Sequence, residues 1–231
     1  MTNPEPGETP PMKATVVIAT RNRQQSLMRT LRLLEELPER PPVVVVDNAS
    51  LDGSAAAVKT RFPGVKLIEA DDNLGVGART VGARAARTPY IAFCDDDSWW
   101  APGALARAVE LLDSHPRLGL LAARVIVDPD GVTDPTCVEM AGSALPRDPS
   151  LPGPRVLGFM ACGAILRRSA YLDCGGFHSG MIIGGEEALL AMDLAARGWD
   201  AAYVDEIVVH HLPAVRDRAE RKRLLLRNDL L

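Results

Sequence analysis

The apolar positions of the chain fall into two kinds of run, short unbroken β-branched stretches and longer stretches with helical spacing. Residues 14–20 (ATVVIAT) predict a strand, and residues 24–37, with Leu27, Leu31 and Leu34 in helical register before Pro38, predict a helix. Residues 43–46 are four consecutive valines, the pattern of a strand covered on both faces. A short helix over 54–60, a strand over 65–69, a helix over 77–87 and a strand over 90–94 (YIAFC) follow. Alternation of this kind implies an α/β fold with a mostly parallel sheet and helices on both faces.

Beyond residue 101 the rhythm changes. A helix is expected over 102–114 and a strand within 118–127. Residues 128–154, rich in Pro, Gly, Ser and Asp, are expected to be an exposed excursion. Residues 156–166 return to the core, 186–197 form a helix, and 201–204 and 207–209 are short strands. A basic helix is expected over 216–227, with a solvated face or a peripheral contact to anionic lipid headgroups as its role. Residues 1–13 are polar and Pro-rich and are expected to be a disordered leader. The rest, 14–231, is expected to be a single domain whose two halves meet near residue 115.

Composition narrows this picture. The 231 residues are 47% hydrophobic and 24% charged, as expected for a globular α/β chain. A net charge of −4 provides no positive field for nucleic acid. The longest uncharged apolar stretch, 156–166, is too short to span a bilayer, which takes about 20 residues. Cys94, Cys137, Cys162 and Cys174 lack metal-ligand spacing, and they fit reduced thiols in a cytoplasmic protein.

The candidate chemistry sits where strands end. The valine strand runs into Asp47, and YIAFC runs into Asp95-Asp96-Asp97. Ligands of open α/β sheets bind outside the carboxyl ends of the strands, so these acids and Thr20-Arg21-Asn22 are expected in one crevice. If strand alternation persists, Asp95 and Asp97 share one side and Asp96 takes the other. A pair of carboxylates suits Mg²⁺ or Mn²⁺ bound together with phosphate oxygens. Trp99-Trp100 beside the acids is expected to belong to a binding surface.

Six blocks resemble family-2 glycosyltransferases, in that family's order: VVIATRNR (16–23), VVVVDNASLDGS (43–54), NLGVGARTVGAR (73–84), YIAFCDDDSWWAPGAL (90–105), GFMACGAILRRSAYLDCGGF (158–177) and GGEEALLAMDLAARGW (184–199). The resemblance spans about residues 14–212 and implies that 14–231 is a single catalytic domain, with a nucleotide-binding half to about residue 115 and an acceptor half from about 116. It implies a GT-A fold and an inverting, metal-dependent enzyme that moves a sugar from a nucleotide-diphosphate donor to an acceptor hydroxyl. The acceptor would be a saccharide, a lipid-linked sugar or a small molecule.

By the same resemblance, Asp47 meets the nucleotide base, Thr20, Arg21 and Arg23 line its pocket, and Arg79 approaches the diphosphate. Asp95 and Asp96 lie on the nucleotide side. Asp97, with Asp95 and His211, holds the divalent cation. Glu187 matches the second acid of the family's catalytic pair and is the expected general base, with Glu186 the alternative. The sequence departs from the family at Thr80, where Asn is usual, and at Glu187, where Asp is. A sugar-1-phosphate nucleotidyltransferase would need a Gly-rich basic loop after the first strand, and Ala19-Thr20-Arg21-Asn22 stands there instead. A catalytically inactive nucleotide-sugar-binding domain is the third reading.

Overall fold

The computed structural model describes residues 11–178 and 184–213. Within them the elements are β1 (Ala14–Thr20), α1 (Gln24–Glu35), β2 (Val43–Asp47), α2 (Ser54–Arg61), β3 (Lys66–Glu69), α3 (Gly77–Ala85), β4 (Tyr90–Asp95), β5 (Ser98–Trp100) and α4 (Ala104–Ser114). The second half adds β6 (Leu118–Val127), β7 (Val132–Thr133), α5 (Pro135–Ala141), β8 (Ala164–Arg167), α6 (Arg168–Asp173), α7 (Glu186–Ala196) and β9 (Asp200–His211), with a 3-10 turn at Ala161–Gly163. The expected leader and the helix at 216–227 fall outside or largely outside the described residues.

One sheet runs through both halves in the order β3-β2-β1-β4-β8-β6-β9-β5, with β7 on β6. The β3-β2-β1-β4 portion is wholly parallel. From β4 onward the sheet is mixed: β8 is antiparallel to β4 and β6, β9 is parallel to β6, and β5 is antiparallel to β9. The reason lies in the connections. Each of the first strands returns through a helix, which favours parallel neighbours, whereas β5 follows β4 after only two residues.

The chain leaves β1 toward β2 and β3 on one side and returns to β4 on the other. The C-terminal ends of β1 and β4 therefore flank a topological switch point, the place where such sheets open a ligand crevice. Register brings Thr20 level with Asp47 and Ala19 level with Asp95. Burial explains why these strands are central: Val16, Val17, Ile18, Val45 and Val46 on β1 and β2 and Ile91, Ala92 and Phe93 on β4 are fully buried. Helix α3 lies close to the sheet because Gly82 lacks a side chain; a Cβ there would collide with Val17 Cγ1.

Two sequence expectations change in the second half. Residues 128–154 are not wholly an exposed excursion. They contain α5, which starts on Asp134 accepting the Thr136 N–H at 2.8 Å, with Pro135 at its first position. Helix α5 buries Cys137 and Met140, and Cys137 Sγ accepts the Val125 N–H of β6 at 3.2 Å. A seven-residue helix shows too little periodicity to stand out from Pro- and Asp-rich surroundings. The two short strands at 201–204 and 207–209 are one strand, β9, interrupted by a bulge at the exposed Asp205-Glu206.

Candidate active site

At the switch point the three aspartates do not alternate as a continued strand would have them. Strand β4 ends at Asp95, and Ser98 Oγ accepts the Asp95 N–H at 2.8 Å, closing a turn into β5. Asp95 is left on one side, paired with Arg79 of α3. Asp96 and Asp97 are brought together on Arg23, whose NH1 lies 2.9 Å from Asp96 Oδ1 and whose NH2 lies 2.6 Å from Asp97 Oδ2. The expected Asp95–Asp97 pairing is thus replaced by an Asp96–Asp97 pairing through a forked guanidinium.

The hydrogen bonds around this turn show which groups are engaged. Thr20 donates its hydroxyl to Asp96 Oδ2 at 2.8 Å, and Thr30 of α1 donates to the Asp96 carbonyl at 2.9 Å. Thr20, Arg23 and Asp96, expected in the nucleotide pocket, therefore brace the acidic turn from below. Burial drives Asp96 up to about 6, although Arg23 and the Thr20 hydroxyl favour its charged form. Asp97 goes the other way. Burial opposes its charge, yet the hydrogen bond from His211 and the charge of Arg23 hold it at about 2.

His211 Nε2 stands 3.4 Å from Asp97 Oδ1. Burial alone would lower the imidazole's pKa, and its hydrogen bond and charge interaction with Asp97 raise it instead. Strand alternation turns His210 to the other face, where its Nδ1 pairs with Asp128 at 2.9 Å and Trp99 stacks on it at 5.4 Å. The tandem tryptophans are therefore not an exposed binding surface. Trp100 is fully buried and its Nε1 donates to the Phe93 carbonyl at 3.2 Å, which anchors β5 beneath β4.

A hard carboxylate beside a borderline imidazole suits Mn²⁺ and accommodates Mg²⁺ with two protein ligands, the shell being filled by phosphate oxygens and water. Asp97 and His211 could serve as those two groups. Asp95 is turned to Arg79, and among the described residues no three His, Cys, Asp or Glu side chains gather as a ready-made metal cluster.

Asp47 is 4% exposed at the end of β2 and accepts the Ser50 N–H at 3.3 Å. Asn48 was not anticipated. Its Oδ1 accepts the Leu74 N–H at 2.7 Å and its Nδ2 donates to the Gly75 carbonyl at 3.1 Å, which ties the loop before α3 to the end of β2. Arg21 is exposed at the rim.

Arg79 links the two halves. Burial would lower its pKa, but the charge and hydrogen bond of Asp95 raise it, followed by the charges of Glu187 and Glu186. Its guanidinium lies 6.0 Å from the Phe177 ring centre. A support below it was also invisible in the sequence. Thr80 and Tyr171 share a hydroxyl hydrogen bond of 2.8 Å, and both oxygens accept the Phe177 N–H at 3.1 Å. Gly176, at φ 81°, has to be glycine here, since a Cβ would stand 2.5 Å from Thr80 Oγ1.

The two glutamates open α7 and part company at once. Glu186 is 4% exposed, lines a groove of about 590 Å³ between α3 and α7, and leaves Oε2 without a hydrogen-bond partner among the described residues. Glu187 is half-buried and lines a separate groove of about 350 Å³ beside α5. Its carboxylate accepts the Ala161 N–H as well as its own. Burial first, and then the charge of Glu186, push it up to about 7 against those bonds and Arg79.

A mixed sheet with an acidic turn at its switch point and a second acid site across an arginine defines an α/β ligand crevice furnished with acid–base groups. Comparison with known proteins carries this to a family. Residues 15–175 match Glycosyl transferase family 2. An N-acetylglucosaminyl-diphospho-decaprenol L-rhamnosyltransferase of Mycobacterium tuberculosis is 30% identical over 231 aligned residues, covering 85% of this chain and 75% of that protein. A mannosyltransferase of Pyrobaculum calidifontis, solved with GDP-Man and Mn²⁺, superposes with a TM-score of 0.73 at 24% identity, over 91% of this chain. TarS of S. aureus, residues 1–349 solved with UDP-GlcNAc, gives 0.72 at 19%, over 90% of this chain. The chain spans 60% and 61% of those two solved chains. It has the GT-A fold and belongs to glycosyltransferase family 2. None of its described helices is long and apolar enough to cross a membrane.

Proposed function

We propose that this glycosyltransferase takes a nucleotide-diphosphate sugar as donor and passes the sugar, with inversion, to an acceptor hydroxyl. The observation that carries this reading is Glu187. It is a half-buried carboxylate held near pKa 7 and oriented by a backbone N–H, on the far side of Arg79 from the aspartate turn. A group with that pKa accepts a proton at neutral pH and gives it up again, as a general base must. One such base suffices for a single displacement, with no enzyme-linked sugar.

Asp97 and His211 would hold the divalent cation, which when bound neutralises charge developing on the leaving diphosphate. Arg79 supplies a fixed positive charge on the same side, and Asp47 and the Asn48-anchored loop form the nucleotide end. Arg23, Thr20 and Asp96 act one layer below, keeping Asp97 ionised and in place. The mycobacterial relative supports a lipid-linked saccharide as acceptor. Nucleotide-sugar use together with four free thiols supports a cytoplasmic location.

The test is product analysis with GDP-mannose, UDP-N-acetylglucosamine and nucleoside-diphospho-L-rhamnose as donors. Release of nucleoside diphosphate is expected. Release of pyrophosphate would make the chain a nucleotidyltransferase, and binding without turnover an inactive domain. Calorimetry with the matching nucleoside diphosphate should show affinity falling on EDTA addition and in Asp97→Ala; equal affinity in all conditions would remove the cation from the reading.

A further inference from the structure

We infer that the groove between α5 and residues 156–159 is the seat of the acceptor's sugar ring, and that it admits an uncharged ring and turns away phosphorylated or carboxylated ones. This rests on the transfer reading above and adds the chemical class of the acceptor's reacting unit.

The groove, of about 350 Å³, is at the small end of ligand sites, which run about 300–1,000 Å³, and is suited to a single ring rather than to a long chain. Its floor is apolar. Met140, Val156 and Phe159 line it and are each at most 5% exposed, and Leu157 continues the apolar surface outward. Such a floor packs against the C–H face of a sugar. Thr136, Glu139 and Ser143 follow the spacing of one helical face along and just beyond α5 and provide hydroxyl and carboxylate groups along the rim. Ser143 Oγ accepts the Leu145 N–H at 3.3 Å and keeps its own hydrogen to donate.

Charge decides which rings are admitted. The only ionisable groups among the described lining residues are Glu139 and Glu187, both acids, and no Lys, Arg or His joins them. A phosphate or carboxylate on the ring would meet like charge with no cation to receive it, a juxtaposition that interfaces use to reject wrong partners. A diphosphate on the acceptor would have to stay outside, beyond the rim.

The geometry also accounts for the division between the paired acids. Glu187 opens into this groove and Glu186 into the other, so only Glu187 can reach a hydroxyl seated against α5. As the hydroxyl oxygen bonds to the donor's anomeric carbon, the carbon–phosphate oxygen bond breaks. The electron pair leaves on the nucleoside diphosphate and the hydroxyl proton passes to the Glu187 carboxylate.

The experiment measures nucleoside diphosphate release from whichever donor of the panel is consumed. It is run against octyl glycosides of N-acetylglucosamine, glucose, galactose, mannose and rhamnose, and against N-acetylglucosamine and its 6-phosphate. At least one neutral glycoside should accelerate release, and the 6-phosphate should have at least tenfold lower kcat/KM than N-acetylglucosamine. Ser143→Trp, which fills the groove, should raise acceptor KM at least tenfold, with calorimetric affinity for the nucleoside diphosphate within twofold of wild type. Glu139→Gln should narrow the discrimination against the 6-phosphate at least threefold. An unchanged acceptor KM in Ser143→Trp, equal use of the phosphorylated ring, or failure of every neutral glycoside overturns the assignment. Absence of nucleoside diphosphate release under every condition overturns the transfer reading itself.

Discussion

Two of the runs of adjacent acids, 95–97 and 186–187, each hold one carboxylate, Asp97 and Glu187, that the fold treats in opposite ways. Asp95, Asp96 and Asp97 lie against two arginines and a histidine, so that even a largely buried carboxylate, Asp97, stays ionised with a pKa of about 2. Glu187 has the more distant charge of Arg79, already paired to Asp95, and is pushed up to about 7. Burial acts in the same direction on both; the counter-charge makes the difference. A carboxylate kept ionised is suited to hold a cation and a diphosphate, and one poised near neutrality is suited to move a proton. Separation of two carboxylate environments in this way is the pattern expected where one acid holds charge and another moves a proton.

The comparison breaks most sharply at the base. Glu187→Gln keeps the shape and much of the hydrogen bonding but cannot accept a proton. Turnover should fall about 10²–10⁴-fold with donor affinity nearly unchanged, as read by steady-state kinetics beside calorimetry. A variant with wild-type turnover would transfer the base role elsewhere.

On the aspartate side the largest effect should come from Arg23→Ala. Removing the guanidinium leaves Asp96 buried without its paired cation and Asp97 with His211 alone, a loss of about 3–5 kcal/mol of stability by analogy with broken buried ion pairs. Denaturant unfolding at neutral pH should show it. The loss should shrink at pH 4, where Asp96, already near 6, takes up a proton. A midpoint unchanged from wild type would mean that the fork is ornamental.

Asp47→Ala should cost less, about 1–3 kcal/mol in nucleoside diphosphate affinity, with little change in melting temperature. Calorimetry and thermal unfolding together check it; loss of fold without specific loss of affinity would make Asp47 a turn residue only.

The smallest effect sharpens the comparison most. Because Glu187 titrates near 7, kcat/KM should fall as pH drops below that value, where the base is protonated. The same shift has a stability sign: the folded state holds a proton that the unfolded chain releases near 4.5, so Glu187's contribution to stability falls as pH rises from about 4.5 to 7. Glu186→Gln removes the neighbouring negative charge, and the acid limb of the rate profile should move to lower pH. A limb that stays in place would show that burial alone sets Glu187.

Much of the arrangement could be read from residue patterns. The valine run of β2 and the YIAFC run of β4 announced strands covered on both faces. The acids at their ends marked the crevice, and a shared block order marked the family. The interior partners could not be read this way. Arg23, 74 residues from Asp97 in sequence, carried no local sign that its fork would lie on the aspartates. Trp100 looked like a binding surface and is a buried anchor. Helix α5 was hidden in a Pro- and Asp-rich stretch because seven residues carry too little period.

The chain by itself determined which segments become strands, where carboxylates leave them, and that Glu186 and Glu187 open a helix, because these depend on local spacing and on which side chains tolerate burial. Only the tertiary structure decided which acid meets which cation. The turn from Asp95 to Ser98 broke the alternation and left Asp95 to Arg79, while Asp96 and Asp97 shared Arg23. The first turn of α7 likewise sent Glu186 and Glu187 into different grooves. Such pairings are made between groups far apart in sequence, and the charge state of a buried acid is set by what the fold brings within a few ångströms of it.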